Sequence, residues 1–343
     1  FTHAVKGFSV EMSAEEAEIL SRDERVKYIE EDAEIFASNT QPGAPWGLDR
    51  IDQRTVSLDG NYNFTSMGSG VHVYVIDSGI RPTHNEFGGR VVLSYDAVKD
   101  GQNGNDCYGH GTHVAGIIGS NTFGVAKNSM LHAVRVLNCS GGGSSSNLIA
   151  AIDWITAHHA KPAVVNISLT MGGVSTTLDS AIKKSIAAGV TYVIAAGNHS
   201  QDACNYSPAR TPEAITVGAT NSLDQRAGFS NFGSCVDIFA PGTSIVSTWL
   251  SSDTAIATGS GTSMASPHAA GVAALYLENN PSALPSDVGT AMFQAATPNL
   301  IWDAGTGSPN LLLFSTLTSR TTTNLNTCSE TKPRGKDKRN GCS

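Results

Sequence analysis

Five short apolar runs recur through the middle of this chain, and they constrain its fold more than any other feature. They are Val71–Ile76, Leu131–Leu137, Val164–Leu169, Val190–Ala196 and Ala214–Ala219. A strand with one wet face alternates apolar and polar residues, whereas a strand covered on both faces has no need to. Helical patterns lie between the runs, over Asn147–Ala160 and Thr176–Ala188, the second closed by Gly189 as a C-cap. Alternation of strand and helix predicts an α/β fold, a doubly wound and mostly parallel sheet sandwiched by helices. In such sheets the working side chains gather at the carboxyl ends of the strands.

This pattern occupies roughly residues 41–317, and the composition changes on either side of it. Residues 1–40 hold ten acids against four bases. Within them Ser13 reads as an N-cap with Glu16 in the capping-box position, and Val26 and Tyr28 alternate as a strand would, so a small α+β unit is expected. Ser38–Gly43 reads as a linker. Residues 318–343 are Ser/Thr/Asn/Lys-rich, with six bases against two acids. They cannot build a core and are expected to form a polar basic tail.

The formal net charge of −8 argues against a nucleic-acid partner. No apolar run reaches the roughly 18 residues of a membrane span. The six cysteines lie in no Cys-x-x-Cys pair, which favours disulfides and an oxidising compartment over zinc. They allow about fifteen pairings.

Three segments carry chemistry. The run Val71-His-Val-Tyr-Val-Ile-Asp77 drives a carboxylate to the end of a buried strand, where it needs donors. In Gly109-His110-Gly111-Thr112-His113, glycines leave the His110 ring approachable, while His113 reads as a core histidine satisfied by backbone. In Gly259-Ser-Gly-Thr-Ser263-Met-Ala-Ser-Pro-His268, Ser263 falls at the start of a long apolar helix, where free N–H groups favour negative charge. A serine is a weak nucleophile until a base takes its proton. Histidine can do so near neutral pH, and an aspartate fixes its tautomer. The chain order Asp77, His110, Ser263 is one of the recurrent triad orders. A Gly-x-Ser-x-Gly esterase elbow is absent around Ser263.

These three segments resemble the signature motifs of the subtilisin-like serine proteases. Ala44-Pro-Trp-Gly-Leu-Asp-Arg-Ile-Asp-Gln53 resembles the mature N-terminus of the proteinase K branch, nearest its aqualysin type. Residues 1–40 resemble the later part of that family's inhibitory prodomain, without its opening strand. The resemblance implies a secreted, monomeric serine endopeptidase of broad specificity, made as a zymogen. Its partners are protein or peptide substrates and its own prodomain, whose Glu34–Ser38 segment would lie in the cleft and be cut near Ser38–Asn39. It implies Asn198 as an oxyanion donor. Gly141 and Gly142 on one edge, with Ser168, Leu169 and Thr170 on the other, would hold the substrate backbone. It selects the pairings Cys107–Cys139, Cys204–Cys235 and Cys328–Cys342. No organic cofactor is implied, but structural calcium is: Pro212 and Ala214 carbonyls with Asp237 at one site, and Asp49, Asp52 and Gln53, with Asn61, at another. Ion pairing with Arg50 and Arg54 is the competing reading for Asp49 and Asp52. One departure stands out. The family reads Ser-Leu-Gly-Gly-Gly where this chain reads Ser168-Leu-Thr-Met-Gly-Gly173, which bears on the depth of the first specificity pocket and on the fourth subsite.

Overall fold

The computed structural model describes residues 1–3, 5–30 and 39–317. Near the amino end, α1 (Ala14–Ser21) carries the capping box: Glu16 N–H donates to Ser13 Oγ, and Ser13 N–H returns a bond to the Glu16 carboxylate. The strand expected at Val26 and Tyr28 is not formed. No second strand lies beside it among the described residues, and a lone strand leaves its backbone groups unpaired.

The rest follows in chain order. First come β1 (Asn39–Pro42), α2 (Trp46–Ile51), β2 (Asn61–Phe64), β3 (His72–Asp77), β4 (Val91–Asp96) and α3 (His110–Gly119). Next are β5 (Met130–Arg135), α4 (Ser145–His158), β6 (Ala163–Ile167), α5 (Thr176–Ala187), β7 (Thr191–Ala195) and β8 (Ile215–Thr220). Then follow β9 (Ile238–Pro241), β10 (Ile245–Thr248), β11 (Ile256–Gly259), α6 (Thr262–Asn279), α7 (Pro285–Ala295), β12 (Thr297–Pro298) and β13 (Leu311–Leu312). Gly189, just past α5, takes the positive φ of a left-handed cap. Within the expected Ser38–Gly43 linker, Asn39–Pro42 is corrected to a strand: β1 pairs antiparallel with β2, Asn39 opposite Phe64, which ties these four residues to the main body.

A nine-stranded sheet runs in the order β12-β13-β9-β8-β7-β6-β3-β5-β4, parallel from β13 to β4. Its inner strands β3 and β6–β9 are buried on both faces, which is why their sequences lack strict alternation, while the edge strand β4 is partly exposed. Along β3, Val73 and Val75 enter one apolar cluster with α3 and α6, while Tyr74 and Ile76 enter a second with α4 and α5. The chain leaves β3 toward β4 and β5 on one side and returns with β6 on the other. The order therefore reverses at β3, and the carboxyl ends of β3 and β6 flank a crevice.

Candidate active site

Asp77 ends β3 and is fully buried. Its donors are at hand: Ser78 N–H reaches Oδ1 at 2.7 Å, and His110 Nδ1 lies 2.8 Å from both carboxylate oxygens. His110 opens α3, whose first turn is pressed against the bend after β3. A Cβ on Gly111 would collide with the Gly79 carbonyl, so only glycine permits this approach. His110 Nε2 has no hydrogen-bond partner among the described residues. Burial works against a charged His110 ring, but the Asp77 carboxylate and, farther off, that of Asp106 outweigh it and raise its pKa above the ordinary 6.5. His113 sits in the core with Nε2 3.1 Å from Ala257 O.

Ser263 is the second residue of α6, so its N–H has no acceptor within the helix. Pro267, four residues on, lacks the N–H that would bond Ser263 O in an unbroken helix. Ser168 Oγ donates to that freed carbonyl at 2.9 Å. Behind it, Asn166 Nδ2 donates to Ser168 Oγ and Ser266 Oγ donates to Asn166 Oδ1, all buried. This network pins the start of α6 to the end of β6. The Ser263 hydroxyl donates to Ser168 O at 3.0 Å and makes no bond to His110. Ser168 lies just past the β3–β6 ladder, so its carbonyl is free to take the hydroxyl.

Asn198 follows β7. Its Oδ1 accepts Thr262 N–H and Thr262 Oγ–H, both at 2.9 Å, which turns Nδ2 away from Thr262. An ideal Cβ built on Gly261 would stand 3.3 Å from Asn198 Nδ2 and 3.5 Å from Ser263 N, so these two nitrogens border one small space. Ser168, Leu169 and Thr170 continue β6 toward it. Gly141 and Gly142 do not form an edge strand: the chain turns between Leu137 and Gly143, which bridge antiparallel. Asn138 Oδ1 holds that turn by accepting Ser140 N–H, Ser140 Oγ–H and Gly142 N–H.

Disulfides join Cys107 to Cys139 and Cys204 to Cys235. The first ties the approach to His110 to the turn holding Gly141 and Gly142, and it leaves Cys107 no free thiol. Cys328 and Cys342 lie outside the described residues.

Arg50 and Arg54 turn away from Asp49 and Asp52. Arg50 pairs with Asp224, and Arg54 donates to Ala295 O with its guanidinium 3.5 Å from the Phe314 ring centroid. Asp49 accepts the Gln53 amide and the Gly60 and Asp59 N–H groups. Asp52 Oδ2 accepts Asn63 N–H and Nδ2–H, while Oδ1 is buried without a partner. Burial pushes the Asp52 carboxyl up to about 6. Asn61 donates to Asp59 instead. At the second place, among the described residues Asp237 Oδ2 accepts Thr216 N–H alone and no base pairs with it, and burial lifts it to about 6. Neither carboxylate pairs with a basic side chain among the described residues. Hard-oxygen calcium chemistry fits such a donor set. Among the described residues no three acidic, His or Cys side chains converge at either place.

A family model described as "Subtilase family" matches residues 68–327. The chain belongs to the subtilase family. A second model, "Peptidase inhibitor I9", matches residues 1–37. The "Extracellular serine proteinase" of Thermus sp. strain Rt41A is 57% identical over 92% of this chain and 76% of its own length. "Alkaline serine exoprotease A" of Vibrio alginolyticus is 50% identical over 92% of this chain, which spans 59% of that relative. The crystal structure of a cold-adapted subtilisin-like serine proteinase shares the fold at a TM-score of 0.78 and 51% identity, covering 80% of this chain and 99% of that one. This subtilase is a serine endopeptidase with an inhibitor I9 region at its amino end.

Two residues of this subtilase escape a reading of local sequence. Asp106 accepts Ser78 Oγ–H, Tyr108 N–H and Gly109 N–H on one oxygen and Thr112 N–H and Oγ–H on the other. It thereby caps the helix that carries His110, and an acid four residues ahead of a helix start was the available signal. Asn231, fully buried, clamps the loop that carries Asn198. Its Nδ2 donates to Ala196 O, and its Oδ1 accepts His199 N–H and Gln201 N–H. Nothing near Asn231 in sequence announces that contact.

Proposed function

We propose that this subtilase hydrolyses peptide bonds through an Asp77–His110–Ser263 triad and an acyl-enzyme intermediate. The Asp77–His110 hydrogen bond is the observation that carries this reading. With Nδ1–H held by the carboxylate, Nε2 is the basic nitrogen. A rotation about the Ser263 Cα–Cβ bond turns the hydroxyl from Ser168 O toward that nitrogen. Ser263 Oγ attacks the carbonyl carbon as Nε2 takes its proton, and the oxyanion accepts Ser263 N–H and an Asn198 Nδ2–H. The imidazolium then protonates the leaving amine as the C–N bond breaks. Water, deprotonated by Nε2, releases the acid and restores Ser263. Gly141, Gly142, Ser168, Leu169 and Thr170 pair with substrate main chain, which gives breadth at positions away from the cut.

A phosphonofluoridate tests this. It labels Ser263, and no label is found on the Ser263→Ala variant. The labelling rate needs neutral His110, so it falls as the pH drops through the raised His110 pKa, with its half-point above 6.5. A rate independent of pH between 5 and 9, or label on another residue, would refute the triad.

Residues 1–40 are read as the later part of the prodomain, 41–317 as the catalytic domain and 318–343 as an appended tail. The relatives' names, extracellular proteinase among them, support secretion, and among the described residues no helix is long and apolar enough to cross a membrane. A monomer is the reading for the mature enzyme.

Calcium is proposed at Asp237 with the Pro212 and Ala214 carbonyls, and at Asp49, Asp52 and Gln53. The ion supplies positive charge to buried carboxylates that have none. Chelation lowers the unfolding temperature of the Ser263→Ala protein by about 5 °C or more, the order expected when a ligand at ~100 Kd is withdrawn. Asp237→Asn and Asp52→Asn each shrink that shift. An identical melting curve with and without chelator would eliminate both sites.

A further inference from the structure

The segments that follow β6 and β7 meet the start of α6 from two sides, as two walls. Ser263 bonds to Ser168 O on one wall, and Thr262 bonds to Asn198 on the other. An acyl group on Ser263 with its oxygen between Asn198 Nδ2 and Ser263 N places its own side chain between these walls.

Side chains alternate along residues 168–171. Leu169 and Met171 pack into the apolar cluster under α4 and α5. Ser168 points the other way, onto Ser263 O and Ser266 Oγ. Thr170 shares the face of Ser168. Its Cγ2 lies 3.2 Å from where a Cβ on Gly197 would stand, so a branched side chain fills the gap between the walls.

Neither wall can step back. Gly197 has φ +102°, and the same Cβ position is 2.5 Å from Asn231 Nδ2, which is itself bonded to Ala196 O. On the opposite side Met171 N–H is bonded to Ser207 O, and its side chain packs into the same apolar cluster as that of Leu169.

We infer that Thr170 is a specificity-determining residue: its methyl group blocks the gap between the walls for the acyl-side residue and restricts cleavage to bonds after small side chains such as Gly, Ala or Ser. This rests on Ser263 as the nucleophile.

The test is a panel of peptide anilides differing only in the residue before the cut: Ala, Leu or Phe. Active sites are titrated with a phosphonofluoridate so that rates refer to competent enzyme. The wild type favours Ala over Phe by ~10-fold or more in kcat/KM, the range available to a close-fitting pocket. Thr170→Ser removes only Cγ2 and lowers the Ala/Phe ratio several-fold. Thr170→Gly lowers it further, to near or below one. A variant that does not fold gives no titratable sites, and the other variant then decides. Equal wild-type rates on Ala and Phe, or an unchanged ratio in Thr170→Ser, overturn the inference while leaving the triad intact. Undiminished turnover by Ser263→Ala overturns both.

Discussion

Replacing Asp77 by Asn lowers kcat on a peptide anilide by about 10⁴-fold while KM moves little, the usual cost of losing a triad carboxylate. The buried carboxylate accepts from His110 Nδ1 and from Ser78 N–H, and every donor near it is placed for an acceptor. An amide of the same size keeps the packing but offers its own N–H toward Nδ1. The ring then holds its proton on Nε2, the nitrogen that must receive the Ser263 proton. Substrate binding does not use this interaction, so the loss appears in kcat. The same substitution removes the main influence that raises the His110 pKa against burial, so the acidic limb of the residual activity moves to lower pH. Steady-state kinetics on titrated enzyme from pH 5 to 9 check both effects. A loss below tenfold, or a limb that stays in place, would remove Asp77 from the triad.

The parts of this molecule legible in sequence are those decided locally. Apolar runs set the strands of the central sheet, because a strand between two helical layers has no wet face. Ser13 and Glu16 announced α1 because a capping box closes within four residues. Asp77 stood out because a buried strand ran straight into a carboxylate. The readings that failed needed a partner the local sequence does not name. Val26 and Tyr28 alternate like a strand but have no neighbour to pair with among the described residues, while polar Asn39–Pro42 is a strand because β2 lies beside it. Asn198 was visible only through family resemblance, and Asn231, which clamps its loop from 33 positions away, was not visible at all. Gly141 and Gly142 take their local shape from the Asn138 side chain, which holds them in a turn. Asp49 and Asp52 stand beside Arg50 and Arg54 in sequence, but α2 sends Arg50 to an acid 174 residues distant.

That distant pair gives the largest stability effect expected here. Asp224→Asn destabilises the Ser263→Ala protein by about 3–5 kcal/mol, the cost of breaking a buried ion pair from one side. Arg50 and Asp224 are both buried, with Nε–Oδ1 at 2.7 Å and Nη2–Oδ2 at 2.9 Å, and Nη1 donates to Gln53 O. Asparagine preserves the shape and tolerates the positive φ of 57° at this position better than alanine would, so the loss isolates charge from backbone strain. The amide can accept one guanidinium N–H but turns its own N–H₂ against the other, and Arg50 is left charged without a counter-ion. If that uncompensated charge is the cause, removing it must help. Arg50→Met added to Asp224→Asn recovers part of the loss, because a buried apolar side chain has no desolvation to repay. The melting temperature at fixed scan rate falls by roughly 6–15 °C in the single variant and rises again in the double. A double variant less stable than Asp224→Asn alone would mean that the Gln53 carbonyl and the packing of α2, rather than the ion pair, fix Arg50. The same pairing sends Arg50 away from Asp49 and Asp52, so this buried ion pair and the proposed calcium site are two consequences of where α2 directs one arginine.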